Sequence, residues 1–263
     1  MRNIVLHLAF DGTRYHGWQV QENAISVQQT IQDGFERVFN ARLPVKGCSR
    51  TDAGVHAYDY VCNFFTNSPL PCDAILRALN ANLPRDIAVT ACEEASEDFH
   101  VRYSATGKEY VYQIWNESVR NPFFLGYAMF YPRRLNVELL DSAAAAFRGR
   151  HDFAAFQSSR AISRHRPLQN GISTDEDSSG TIRTIFNTSV TREGGMVRFR
   201  VHGDGFLYNM VRIMTGTLLF VAQGKLSCGG VEEVISSCDR KMAGPTAPAC
   251  GLYLNRVFYG GNL

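Results

Sequence analysis

The sequence predicts an α+β fold in two similar halves, and two observations carry that prediction. Short runs in which apolar residues alternate with period two, the mark of strands with one face on a core, are interleaved with amphipathic stretches of helical period. The order of elements in the first hundred or so residues then recurs: each half offers antiparallel-looking strands plus two helices. No sequence identity between the halves is visible, so the repeat is an inference from element order. The boundary falls near Ser104, giving residues 1–104 and 105–263.

In the first half, Ile4, Leu6, Leu8 and Phe10 alternate with less apolar partners and predict a strand. The opening MRNIVLHLAFDG carries a charge and an apolar run, but it alternates and lacks a small-residue cleavage site, so it reads as that strand and no signal peptide. Ser26 with Gln29 three residues on forms a capping box opening a helix to about Asn40, with Val27, Ile31, Phe35 and Val38 inward. Tyr58–Thr66 is a strand; Pro71 and Asp73 open a second helix carrying Ile75, Leu76 and Leu79; Pro84 closes it before a strand at Ile87–Ala91. In the second half come a strand at Lys108–Asn116, a helix at Val137–Phe147, strands near Ile182–Thr191 and Met196–His202, and a long apolar helix near Phe206–Val221. Asn209, Arg212 and two threonines interrupt that last segment, which falls short of a membrane span.

A length of 263 residues suits one large domain or two half-sized ones with real cores, and 45% hydrophobic residues is ordinary for a globular protein. The seven cysteines are odd in number and scattered, with no Cys-x-x-Cys pair and no histidine at metal spacing. They read as reduced thiols of a cytoplasmic protein, without zinc or a disulfide framework. The net charge of +2 does not announce a nucleic-acid binder, but its distribution says more. Arg148, Arg150, Arg160, Arg164 and Arg166 stand with two histidines against the single acid Asp152, and Phe153 and Phe156 lie among them. This is either a phosphate-contacting surface with stacking rings or a solvated loop beside two core phenylalanines. An acidic run, Asp175–Asp177, follows within a Ser-, Gly- and Asp-rich loop, Gln169–Gly180.

The stretch GCSRTDAGVHA, Gly47–Ala57, sets Asp52 in a glycine-bracketed loop with Arg50 two residues away. An ionised aspartate there is suited to act as nucleophile or base; the alternative is an Asx-turn closing on its own backbone. Arg212 sits in an otherwise apolar helix, where a guanidinium needs an acidic partner or an outlet to water. Asp52 is its most useful partner, against snorkelling or phosphate binding as the other readings. Tyr110 and Tyr112 alternate onto one face of their strand. His16 and His56 lack an acid at recognisable spacing and read as loop hydrogen-bonders.

The Gly47–Ala57 string resembles the signature loop of the tRNA pseudouridine synthase A family, and four further segments match in the same order. DGTRYHGWQVQ at Asp11–Gln21, running on into SVQQTIQ, is similar to the family's first loop and helix. SATGKEYVYQI at Ser104–Ile114 is similar to its tyrosine strand, FLYNMVRIMTGTL to its arginine helix, and APACGLYL at Ala247–Leu254 to its closing motif.

The resemblance implies two α+β halves whose antiparallel sheets meet around a central basic cleft with helices on the outer faces, in a homodimer. It implies isomerisation of uridine to pseudouridine in the anticodon stem-loop of tRNA, at tRNA positions 38–40, with no cofactor, no metal and no membrane. Asp52 would do the chemistry, Tyr110 stack on the base, Arg212 hold Asp52 ionised, and Leu252 with Gly251 wall the uracil pocket; Arg50 is counted among the substrate-binding residues. Asp59 and Tyr60 depart from a glycine and a glutamine typical of the family, and an insertion follows Gln157. Both bear on substrate choice and allow a paralogue with altered RNA site specificity. An aspartic protease would need a second such loop, and only one is present. A non-catalytic tRNA-binding or folding protein is the remaining alternative; it would have no need of Asp52.

Overall fold

Alternating apolar residues at the N-terminus build β1, Arg2–Phe10, in a computed structural model that describes residues 1–158 and 180–260. The fold is α+β: ten strands of the described residues form a mixed sheet, accompanied by helices. Contacts divide the chain into two compact units, one of Met1–Val111 together with the stretch from Ala249 onward, the other Tyr112–Pro248.

In the first unit β1 is central, antiparallel to β3 (His56–Thr66) on one side and to β4 (Ile87–Ala95) on the other. A short β2, Val45–Gly47, pairs antiparallel with β3, while β10, Leu252–Tyr259, pairs with β3 in parallel. One face of this sheet is closed by α1 (Val27–Phe39) and α2 (Cys72–Asn82). Ser26 Oγ accepts from the Gln29 amide at 3.2 Å, the N-cap that the capping box predicts. Val27, Ile31 and Phe35 are buried, and Phe35 meets Phe64 of β3 with ring centroids 4.3 Å apart. Leu8 pairs with Tyr60 but Phe10 with Ala57, so β3 carries one extra residue just where it leaves the Asp52 loop. Such a bulge re-aims the side chains beside it.

In the second unit the C-terminal part of β5 (Ala105–Trp115) continues the strand that begins in the first, and β6, Met129–Phe130, lies parallel to it. β7 (Gly149–Asp152), β8 (Ile182–Glu193) and β9 (Met196–Gly203) form successive antiparallel pairs. α3, Val137–Ala145, is tied to β8 by Thr188 Oγ1 donating to Ala144 O at 2.9 Å and by Asp141 accepting from the Val190 amide at 2.7 Å. α4, Met210–Ala222, is buried on nearly every side. Its polar residues there are satisfied internally: the Thr215 and Thr217 hydroxyls donate to Val211 O and Ile213 O, both at 2.9 Å.

Among the described strands and α-helices, five have no counterpart in the sequence reading: β2, β6, β7, α5 (Gly230–Ser237) and β10. The first three are two to four residues long. α5 opens on Gly229–Gly230, which reads as a loop, and β10 begins inside the closing motif at Ala247–Leu254. Phe153 and Phe156 are fully buried against Phe147, so of the two readings of that stretch the core phenylalanines hold. Arg148 clamps Thr188 through Oγ1 at 3.1 Å and O at 2.8 Å. Arg160, Arg164, Arg166 and Asp175–Asp177 lie outside the described residues.

Candidate active site

Two loops meet at the C-terminal end of β1 and the N-terminal end of β3. The Trp18 amide donates to Thr51 O at 3.3 Å, and the Gly54 amide to Tyr15 O at 3.1 Å. The approach is so close that a Cβ on Gly17, whose φ is +84°, would strike the Thr51 carbonyl oxygen. Within the second loop the Val55 amide donates to Asp52 O at 3.2 Å, with Gly54 at φ +78°. A turn bonded from first to fourth residue with positive φ at the third requires glycine there. It fixes the half-buried Asp52 at the loop's corner.

Aromatic side chains support this corner from beneath. Tyr60 is fully buried, stacks on Trp18 at 4.2 Å and donates its hydroxyl to Ser49 O; a Cβ on Gly47 would collide with both rings' polar ends. The departure from the family pattern at Tyr60 is thus a structural prop. Tyr110, 6% exposed, places its hydroxyl 3.3 Å from Ser49 Oγ. Burial pushes the Tyr110 phenol well above its ordinary range; Ser49 opposes the shift, while Cys48 and the nearby Asp52 carboxylate add to it. Ser49 thus ties Tyr110 to the loop that carries Asp52. Tyr112 is core, its hydroxyl donating to Pro248 O at 2.7 Å.

Leu252 is 5% exposed at the start of β10, following a turn, Ala249–Gly251, that abuts Gly54. The next residue, Tyr253, pairs with His56 and stacks between it and Tyr58, each at 4.6 Å. Tyr58 is 49% exposed and offers a ring edge beside the loop that sequence reading missed. Arg50 is exposed and makes no ion pair with any described residue, so it does not clamp Asp52. His56 Nδ1 accepts from the Gly12 amide at 3.1 Å, as expected of a loop hydrogen-bonder, and Asp11 Oδ1, which the sequence reading did not place there, also lies 3.1 Å from it. Forty-five positions separate these residues, and no local spacing rule reveals such a pairing.

In the second unit Arg212 is half-buried on α4. Its Nε donates to Ala247 O at 2.7 Å and its Nη1 to Asn209 Oδ1 at 2.7 Å, and Arg212 O accepts from the Ala247 amide. Asn209 adopts a left-handed conformation, φ +62°, at the helix start. The guanidinium is thereby held in one orientation.

Asp59, the other departure, faces His7 Nδ1 at 2.7 Å, and Glu93 faces Nε2 at 3.2 Å. Hydrogen bonding to Asp59, opposed by burial and reinforced by Glu93, raises the His7 pKa. A raised folded-state pKa means that the stabilisation is complete below the unfolded value of about 6.5 and fades as pH rises through the folded one. The melting-temperature advantage of wild type over His7→Gln is expected to be larger at about pH 5.5 than at about pH 9. A difference that is flat with pH would contradict this pairing.

Among the described residues no group of three or more His, Cys, Asp or Glu could hold a metal, and no helix is long and apolar enough to cross a membrane. A family model described as tRNA pseudouridine synthase matches residues 7–104 and 143–260. The chain is 42% identical over 260 residues to "tRNA pseudouridine synthase A" of Ruminiclostridium cellulolyticum, covering 98% of this chain and 100% of that one. It is 43% identical over 261 residues to the protein of that name in Clostridium kluyveri, with the same coverage. A "tRNA pseudouridine synthase A 2" of Clostridium perfringens is 42% identical over 263 residues, again covering 98% and 100%.

Proposed function

The chain belongs to the tRNA pseudouridine synthase family, and from that premise we propose that it isomerises uridine to pseudouridine in tRNA, at positions 38–40 of the anticodon stem-loop. The observation that carries the site is the corner at Asp52, a carboxylate on a glycine turn in the loop whose Ser49 meets the Tyr110 hydroxyl. The reaction breaks the bond from base to sugar, rotates the uracil while it is held, and rejoins carbon to the sugar where nitrogen had been. It conserves every atom and calls for no cofactor.

Asp52 serves by attack on the sugar or ring, or by abstracting a sugar proton; the residue and its placement suit both. Either path requires the nucleotide to leave its stem, since the sugar carbon and base edge are inaccessible in a paired A-form helix. Tyr110 stacks on the extracted base, Leu252 and Gly251 wall the uracil, and Arg212, oriented by Ala247 and Asn209, binds the substrate. Arg50, exposed on the same loop, meets RNA backbone. The enzyme works as a cytoplasmic homodimer.

Stacking on an aromatic ring contributes about 1–3 kcal/mol per base. Tyr110→Phe is expected to keep kcat/KM within a few-fold, whereas Tyr110→Ala loses roughly tenfold to a hundredfold. Equal losses in both would assign Tyr110's part to its hydroxyl instead of its ring. The function itself is tested by mapping pseudouridine in unmodified tRNA transcripts incubated with the protein. Modification confined to positions 38–40 is expected; modification elsewhere would move the site specificity, and none at all, with RNA bound, would leave a tRNA-binding protein.

A further inference from the structure

Two cysteines stand together at the edge of the first unit's sheet, and both are half-buried. β4 is the outermost strand there, and its Cys92 pairs with Leu6 of β1, which pairs on its other side with Cys62 of β3. Residues in register share a face, as do residues two apart on a strand. Cys92 therefore lies on the face of Leu6 and Ile4, where Phe64, the partner of Ile4, meets Phe35 of α1. Cys72 is the first residue of α2 and leads the stripe that continues, three and seven residues on, in the buried Ile75 and Leu79. It is thus turned toward the same face of the sheet.

Hydrogen bonds at both ends of α2 set Cys72 over Cys92. At the far end Asn80 clasps β4: its Nδ2 donates to Val89 O and its Oδ1 accepts from the Val89 amide, both at 2.8 Å. From Asn80 back to Cys72 is about 12 Å of helix, and from Val89 on to Cys92 about 10 Å of strand, so the two runs end side by side. At the near end Arg2 Nη1 donates to Ser68 O at 2.9 Å and to Leu70 O at 2.7 Å, while its Nε donates to Glu94 Oε2 at 2.9 Å. One guanidinium thereby ties the residues just before Cys72 to those just after Cys92, and it interacts with both thiols. A side-chain hydrogen bond joins the thiols themselves.

We infer that Cys72 and Cys92 form an oxidisable dithiol, a modification site at which hydrogen peroxide converts the pair into a disulfide that staples α2 to the edge strand. In the first step one sulfur attacks a peroxide oxygen, the O–O bond breaks, and a sulfenic acid and water result. In the second the other sulfur attacks the sulfenic sulfur, the S–S bond forms, and the hydroxyl leaves with the second thiol's proton as water. The two thiols lose two electrons and two protons, and the peroxide is reduced to two waters. Burial pushes the Cys92 thiol up to about 12, with the charge and hydrogen bond of Cys72 adding and Arg2 opposing. Cys92 keeps its proton while Cys72 reacts first, and closes the bond second. Cys62 is no rival partner for Cys92, because β1 lies between them and two strand spacings, about 10 Å, exceed the roughly 7 Å that a disulfide spans.

The test treats the reduced full-length protein with hydrogen peroxide, blocks the remaining thiols with iodoacetamide after unfolding, and weighs the tryptic peptides. The expected product joins the peptide of Cys92 to the peptide of Cys72, two hydrogens lighter than their sum, and dithiothreitol separates it. Cys62 shares the tryptic peptide of Cys72, so Cys72→Ser identifies the sulfur: the product should vanish in that variant, as in Cys92→Ser. The bond closes a loop over residues 73–91, and the oxidised wild type should melt roughly 5–10 °C above the reduced form, with no such rise in either variant. A linked product that persists in Cys72→Ser, linkage to another cysteine in place of this pair, sulfonic acids without linkage, or full alkylation of both thiols would each overturn the site. The readout is a mass and a melting temperature, so neither result bears on the tRNA reading, and failure of that reading leaves this site untouched.

Discussion

Asp52→Asn is expected to abolish pseudouridine formation, lowering the rate by at least about a thousandfold, because the amide is neither nucleophile nor base. The exchange is nearly isosteric, and the turn it sits in is closed by main-chain bonding from Val55 to Asp52 O, with Gly54 supplying the positive φ. The variant should therefore melt within a degree or two of wild type and bind tRNA transcripts about as well. Single-turnover assays on a transcript saturated with enzyme isolate the chemical step. A variant retaining more than about a tenth of the wild-type rate would remove Asp52 from the chemistry and return the loop to a purely structural role.

Gly216→Ala is the substitution expected to cost the fold most. Glycine in mid-helix usually gains from replacement by alanine, but here the added carbon would strike the Pro245 carbonyl oxygen, a backbone atom with no side chain to swing aside. Gly244 sits equally close against Gly216, and the Gly244 amide donates to Thr217 Oγ1 at 2.9 Å, so the 244–247 segment cannot retreat freely. A loss of about 2–4 kcal/mol is expected, read as a fall of roughly 5–15 °C in melting temperature. The same segment carries Ala247, whose carbonyl orients Arg212, so activity should fall even at temperatures where the variant is folded. Gly229→Ala, where an added carbon meets nothing within 4 Å, is the matched control and should be near neutral. Were the two to behave alike, the close packing of α4 against 244–247 would be wrong.

The parts of this architecture that the sequence announced are those governed by local rules. The Ser26 cap, the alternation in β1, the inward stripe of α1 and the turn chemistry around Asp52 each follow from residues within a few positions of one another. What escaped notice depends on long-range company. The Asp11–His56 contact and the Asp59–His7–Glu93 cluster join residues that only pairing of distant segments brings together. Phe153 and Phe156 stand among arginines in the chain, yet they are core, because sequence neighbours of a surface cation need not share its exposure.

β10 lies in register with β3 at His56 and Ala57, yet it is encoded some two hundred residues downstream of it. During translation the unit that carries Asp52 is thus begun before Tyr112–Pro248 and completed only after it. Tyr112–Pro248 emerges as a finished stretch in the meantime, while the β3 edge waits for its partner. A premature stop codon just after Pro248 would spare nineteen-twentieths or so of the chain's length and still deny the Asp52 loop the strand beside it. Ribosome stalling before the β10 codons are read would expose an unpaired strand edge, the kind of surface on which nascent chains aggregate.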